Sequence, residues 1–163
     1  LKGFTGEMYL SQILWNGQRR TFPGKYFHSD TDVTLPDRFY DIRHRVRLDA
    51  SAESEADVYA STGTEIWLCE SKWWESHKVG PDVVRCMLGL AEKLKDFEGR
   101  EYFKRDRPII TVRLWLFAYS GVTKRAEDLL NEHGIYWSDR ADLGWLVRET
   151  GLRRLPEFGK SDP

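Results

Sequence analysis

Glu70, Ser71 and Lys72 continue the apolar run Ile66-Trp67-Leu68-Cys69, and Asp57 stands thirteen residues before Glu70. Side chains alternate along a strand, so Glu70 and Lys72 share a face with Ile66 and Leu68. Trp67 and Cys69 make the other face apolar too, which reads as a central strand covered on both sides. A carboxylate and an ammonium on such a face are costly unless they are paired, bound to metal or at the wet end of the strand. A second carboxylate on a neighbouring strand would complete a divalent-metal site. Asp57 and Glu70 suit Mg²⁺ or Mn²⁺, a hard cation that takes one or two carboxylates and keeps several waters; the Ser71 carbonyl is the expected third ligand. Lys72 can orient an attacking water or stabilise the charge of a phosphodiester transition state. The competing account is an ion-paired strand end, with Lys72 neutralising Glu70 or Asp57. Glu55 competes with Asp57, whose face it shares, but Asp57 precedes Val58, deeper in the strand, and is the better candidate.

The surrounding elements must bring these residues together. Residues 5–15 read as a helix with Leu10, Ile13 and Leu14 on its apolar stripe. Glu7 lies at the edge of that stripe. It is a fourth catalytic candidate, reaching the site to hold a second metal or a ligating water; its alternative role is dipole stabilisation at the helix start. Residues 16–39 read as a long irregular connection, with Asp30 and Asp32 as turn residues. From Tyr40 to Leu48 the chain alternates, placing Ile42, His44, Val46 and Leu48 on one face and Arg43, Arg45 and Arg47 on the other. That is a half-buried strand with His44 in the core. Glu55–Ser61 and Glu65–Trp73 follow as an antiparallel hairpin across a short turn. Gly80-Pro81 opens a helix whose apolar face is Val84, Met87, Leu88, Ala91 and Leu94. Glu98 to Arg107 is charged without clear period. Ile109–Tyr119 is a central strand, and Thr123 caps a helix with Ala126, Leu129 and Leu130 inward, stopped by Gly134. A short strand at Ile135-Tyr136-Trp137 precedes a last helix marked by Leu143, Leu146 and Val147 and ended by Gly151. The order α-β-β-β-α-β-α-β-α gives the α/β class, a mixed β-sheet flanked by helices.

A length of 163 residues suits one domain spanning 1–163. The start at Leu1 leads to the expectation of a domain excised from a longer protein, with other domains of the same polypeptide as partners. A formal net charge of −1 argues against a strong free-standing nucleic-acid binder, yet it is compatible with a nuclease whose acidic metal site offsets a basic rim. Basic residues group at Arg19-Arg20, Arg43/Arg45/Arg47, Lys72/Lys78/Arg85, Arg100 to Arg107 and Arg153-Arg154. Lys78 and Arg85 flank the start of the helix after the catalytic strand and are the first candidates for DNA contact, aided by that helix's positive end. His77 is a weaker phosphate contact. Trp73 and Trp74 suit base stacking or core packing. Cys69 and Cys86 are too few and too far apart for a zinc motif and read as reduced thiols of a cytoplasmic protein. No membrane-spanning run is present.

Three motifs in order carry a family resemblance: Glu55-Ala56-Asp57-Val58, then Leu68-Cys69-Glu70-Ser71-Lys72-Trp73, then Lys78-Val79-Gly80-Pro81-Asp82-Val83-Val84-Arg85. Together they resemble the Mrr-type restriction endonucleases of the PD-(D/E)xK nuclease superfamily. Ala118 to Ala126, Gly134-Ile135 and Leu143-Gly144-Trp145-Leu146 are similar to later segments of that family. The resemblance spans most of Glu7 to Val147. It implies a restriction-endonuclease-like fold, an α-β-β-β-α-β core with extra C-terminal elements. It also implies a metal-dependent DNA endonuclease, as part of a prokaryotic defence or repair protein, with Asp57 and Glu70 as ligands, Lys72 catalytic and Glu7 matching a first-helix glutamate. The bulk of Trp73-Trp74 and the length of residues 16–39 depart from the pattern. DNA is the expected partner, and a homodimer is compatible with the fold. A non-catalytic nucleic-acid-binding or sensing module on the same fold, or an RNA nuclease, are the alternatives; the intact Asp57/Glu70/Lys72 set favours catalysis.

Overall fold

The computed structural model describes residues 2–101, 109 and 111–151. The first helix, α1, runs from Lys2 to Asn16 and buries Leu10, Ile13 and Leu14 as their spacing requires. Residues 16–39 are more ordered than expected. They hold strands β1 (Thr21–Phe22) and β2 (Val33–Thr34), paired antiparallel around a 3-10 turn at Gly24–Phe27. Buried Phe22, Phe27, Val33, Leu35 and Phe39 explain the order: apolar side chains at irregular spacing fix a loop that has no period to recognise. Asp32 is a turn residue, accepting the Gly24 N–H at 3.3 Å.

The main sheet has five strands in the order β3-β4-β5-β6-β7: β3 (Asp41–Arg47), β4 (Glu55–Ser61), β5 (Glu65–Lys72), β6 (Thr111–Ala118) and β7 (Tyr136–Ser138). The β3-β4-β5 pairs are antiparallel and the β5-β6-β7 pairs parallel, so the sheet is mixed. Short turns allow the first pairs, whereas parallel ones need crossovers. These are α2 (Pro81–Glu101), with proline at its first position, and α3 (Lys124–Glu132), where the Thr123 hydroxyl accepts the Ala126 N–H at 3.2 Å. α4 (Arg140–Glu149) starts at a reciprocal Asp139–Asp142 capping box. α2 continues into the charged stretch as far as Glu101; the rest of that stretch and Arg153-Arg154 lie outside the described residues.

Two apolar layers sandwich the sheet. Tyr9, Leu10, Ile13 and Leu14 of α1 and Leu143, Leu146 and Val147 of α4 pack with Val58, Trp67, Cys69, Trp115 and Phe117. Val84, Met87, Leu90 and Leu94 of α2 and Ala126 and Leu130 of α3 pack with Tyr59, Ile66, Leu68, Leu114 and Leu116. β5 therefore has helices on both faces, as its doubly apolar sequence required, and each large side chain buried there contributes roughly 1.5–3 kcal/mol.

The expected alternation of β3 does not hold along its length. Arg45 adopts φ +53°, the left-handed region that non-glycine residues rarely visit. Before it, Ile42 packs on the α1 side; after it, Val46 packs on the α2 side. One left-handed residue reverses the phase of the pleat. His44 precedes the reversal and stays on the α1 side with Ile42, but it is exposed there, its ring 6.2 Å from that of Phe4, and is not the core residue its spacing suggested.

α1 lies very close to β5. A Cβ at Gly6 would stand 2.1 Å from the Ser71 hydroxyl oxygen and 3.1 Å from the Phe117 ring. Gly6→Ala should lower stability by about 1–3 kcal/mol through overpacking. Adding Ser71→Ala to that variant, which removes the obstructing oxygen, should recover most of the loss in a denaturant melt. Equal stability of wild type and Gly6→Ala would disprove the close approach.

Candidate active site

The site lies where β4 and β5 part. Their ladder pairs Ser61 with Ile66 through Val58 with Cys69 and stops there. One step on, Asp57 and Glu70 would face each other. Side chains take over where the backbone bonds end. The Asp57 N–H donates to Glu70 Oε1 at 3.3 Å, and the Ser71 N–H donates to Asp57 Oδ2 at 2.8 Å. Each carboxylate thus bonds the opposite strand, which keeps the donors satisfied at the opening. The parting extends to β3: its register with β4 skips the Arg45–Asp57 position. Val58 packs on the α1 side but Ala56 on the α2 side, so the pleat of β4 reverses phase at Asp57, opposite left-handed Arg45.

Asp57, Glu70 and Lys72 line one cavity of about 370 Å³, with Glu53 and Glu55 on one wall and Asp82, Val83, Cys86 and Leu90 of α2 on the other. Glu55 thus accompanies Asp57 rather than replacing it. Its carboxylate meets Arg47 at 3.7 Å. Ser71 contributes through its backbone. The Lys72 carbonyl accepts the Tyr119 N–H and so points to β6. Successive carbonyls of an extended chain point opposite ways, so that of Ser71 points to β4 and Asp57. The Ser71 hydroxyl faces α1, buried and without a partner among the described residues.

Electrostatics single out Glu70. Burial, and then the charge of Asp57, push its carboxyl from the ordinary 4.5 up to about 9, with Lys72 pulling the other way. At neutral pH this carboxyl therefore keeps its proton. Lys72 makes no ion pair among the described residues; its Nζ lies 5.8 Å from the Trp74 ring centroid. The ion-paired strand end is therefore not what forms.

Glu7 does not line the cavity. It is buried in α1 and bonded to Arg45 Nε at 3.2 Å. Burial and the charge of Asp57 raise its pKa, against Arg45. It therefore feels Asp57 from the α1 side while serving the left-handed arginine. Lys78 is exposed on the segment leading into α2. Arg85 is held by Asp82, a cavity residue, at 2.7 Å. The arginines of β3 are engaged too: Arg43 with Asp41 at 2.9 Å and Arg45 and Arg47 with Glu7 and Glu55. His77 is exposed and stacked on Trp74, while Trp73 is a core residue against Phe117 and Tyr119.

Sequence reasoning missed Arg45, Glu53 and the α2 wall. Asp82 had a usable signal, lying beside Pro81 in the first turn of a helix that must cover the strand. Arg45 had none, because arginine carries no preference for the left-handed region.

Among the described residues no cluster of three or more His, Cys, Asp or Glu side chains is placed to hold a metal ion. No helix is long and apolar enough to cross a membrane among those residues. No family model, curated protein or solved structure matches the chain.

Glu70 binds its proton more tightly folded than unfolded, so its contribution to stability falls as pH rises from 4.5 toward about 9. Glu70→Gln keeps an acceptor for the Asp57 N–H and has no proton to lose. In chelator, this variant should match wild type near the acid end of that window. It should exceed wild type by on the order of 1–3 kcal/mol at slightly alkaline pH. A gap that does not change with pH would show that Glu70 ionises normally in the fold.

Proposed function

We propose that this chain is a restriction-endonuclease-like domain that hydrolyses DNA phosphodiester bonds with Mg²⁺ or Mn²⁺. The observation that carries the proposal is the opening between β4 and β5, where two carboxyl groups on opposed strands meet in one cavity beside a lysine that has no ion pair among the described residues. The resemblance to Mrr-type endonucleases supports the same reading, as does the order of α1, the β3-β4-β5 antiparallel set, the α2 crossover and β6.

The residues fit a small hard cation. Mg²⁺ asks for one or two carboxylates and retains waters, so the lack of a third acidic or imidazole ligand is no obstacle. Asp57, Glu70 and the Ser71 carbonyl would hold the ion. Glu70 suits the role because its protonation arises from burial beside another carboxylate, a repulsion that a cation relieves. When bound, the ion polarises a phosphoryl oxygen and makes its water more acidic.

The chain's own groups do the rest. Asp57 keeps Ser71 and the strand end in register through its bond to the Ser71 N–H. Lys72 directs its ammonium at the scissile phosphate or the attacking water and offsets charge that grows in the transition state. Glu53, Glu55 and Asp82 make the cavity walls acidic, so a phosphate approaches only along the Lys72 side. Arg85, paired with Asp82 of the cavity wall, and the exposed Lys78 on the segment leading into α2 are assigned to DNA contact. A cytoplasmic location and a place within a larger defence or repair protein belong to the same proposal.

Supercoiled plasmid should be nicked and linearised with Mg²⁺ or Mn²⁺ and left intact with chelator. Lys72→Ala should lower the rate at least roughly a hundredfold while leaving DNA affinity near wild type, because the lysine acts on the transition state. Plasmid that survives wild-type protein with both metals would sink the nuclease proposal. DNA binding without cleavage would favour a sensing module instead.

Binding should weaken with salt. Lys78→Ala combined with Arg85→Ala should flatten the slope of log K against log salt by roughly two contacts. A slope equal to wild type would place the DNA on another face.

A further inference from the structure

Lys72 carries its ammonium on a four-carbon stem, which loses about 2 kcal/mol of rotamer freedom when held in one direction. Ion pairing is the usual restraint, and Lys72 has no such partner among the described residues. What faces the ammonium is the indole of Trp74, with Nζ 5.8 Å from the ring centroid, inside the range for attraction to the negative face of an aromatic ring.

The indole is itself fixed. His77 stacks on it with centroids 4.6 Å apart and planes 22° apart. The Ser120 hydroxyl donates to the Trp74 carbonyl at 2.6 Å and to the Glu75 carbonyl at 3.1 Å, tying this segment to the turn after β6. Trp73, immediately before it, is anchored in the opposite layer by the rings of Phe117 and Tyr119 at 5.7 and 4.9 Å. Adjacent residues of an extended segment point to opposite sides, so burying Trp73 in the α1 layer presents Trp74 to the α2 layer, where Lys72 emerges.

We propose that Trp74 is the positioning residue of Lys72: its ring holds the ammonium over the cavity without neutralising it. A carboxylate in that place would hold the lysine more strongly but would consume its charge and compete for the metal. An uncharged ring orients the ammonium and leaves its N–H donors and positive charge for the phosphate or the attacking water. The inference rests on the nuclease reading of the site and names a second residue on which the rate of that reaction depends.

The test pairs a kinetic and a spectroscopic measurement on Trp74→Leu, which removes the ring, and Trp74→Phe, which keeps an aromatic face. Cleavage of a fluorophore-labelled DNA duplex with Mg²⁺ should show kcat falling roughly tenfold in the leucine variant, with KM within about twofold. The phenylalanine variant should regain most of the rate. Reductive methylation with ¹³C-formaldehyde keeps the lysine charge and labels Nζ. The Lys72 resonance, assigned by its absence from Lys72→Arg, should lie upfield in wild type from the ring current. It should move to the ordinary lysine position in Trp74→Leu and only partly in Trp74→Phe. An unchanged kcat in Trp74→Leu, an equal loss in both variants, or a resonance that ignores the substitutions would overturn the proposal. Wild-type protein that cuts no DNA would overturn the nuclease reading, and the catalytic role of Trp74 with it, while the resonance still reports whether the ring and the ammonium touch.

Discussion

Two hydrogen bonds across the gap between β4 and β5 are the constraint on which the site depends. A mixed sheet gains stability by pairing every backbone group along its ladder, and a gap in the middle leaves donors unpaired at a cost of roughly 1–3 kcal/mol each. At Asp57 and Glu70 the strands open without that penalty. The side chain of each residue bonds a backbone N–H across the opening. The carboxylates are therefore structural bonds and potential ligands at once. That double role fixes their separation and direction, because moving either would expose the donor it satisfies. A pair of side chains built into the sheet in this way is held more rigidly than one carried by a loop.

Keeping the opening requires strain and uncomfortable charge elsewhere. Arg45 sits in the left-handed region opposite Asp57, a conformation costing on the order of 1 kcal/mol for a residue with a side chain. Glu7 holds it there through a bond of 3.2 Å from a buried position on α1. Glu70 retains a proton that a solvated carboxyl would lose. Strain and misplaced charge are not confined to the cavity: Arg19 and His28 also have positive φ, at 70° and 49°, and burial raises the Asp142 carboxyl to about 7. What distinguishes the cavity is that Arg45, Glu7, Asp57 and Glu70 are linked by direct bonds or charge.

The framework was legible where periodicity and caps reflect local physics. β5 is apolar on both faces and is covered on both; Pro81 begins α2; the Thr123 side chain caps α3. Asp57, Glu70 and Lys72 were legible as one set because two strands joined by a short turn can be laid in register from the turn outward. What escaped depends on contacts distant in the chain. β1 and β2 form because scattered aromatics fill space over the α1 layer, a pattern with no period. Val46 changed layers because a single left-handed residue reversed the phase of its strand, and nothing in the run Arg43-His44-Arg45 announces that reversal.

Glu7 shows how a correct local reading can still misplace a residue's role. Its position beside the apolar stripe of α1 indicated a buried carboxylate on an element separate from the strands, and it is buried. Burial by itself does not choose the partner. The α1 helix lies on one side of the sheet and the cavity is walled by α2 on the other, so a side chain from α1 reaches the site only through the opening at Asp57 of β4. Arg45 stands in that path and takes the carboxylate, while Asp57 is near enough for its charge to raise the Glu7 pKa. The connection from Glu7 to the site therefore runs through two intermediates: an arginine held in a strained conformation, and the aspartate opposite it, whose side chain closes the gap. Glu7 acts on the geometry of the opening through Arg45, and the cavity itself is lined by Asp57, Glu70 and Lys72 on the far side.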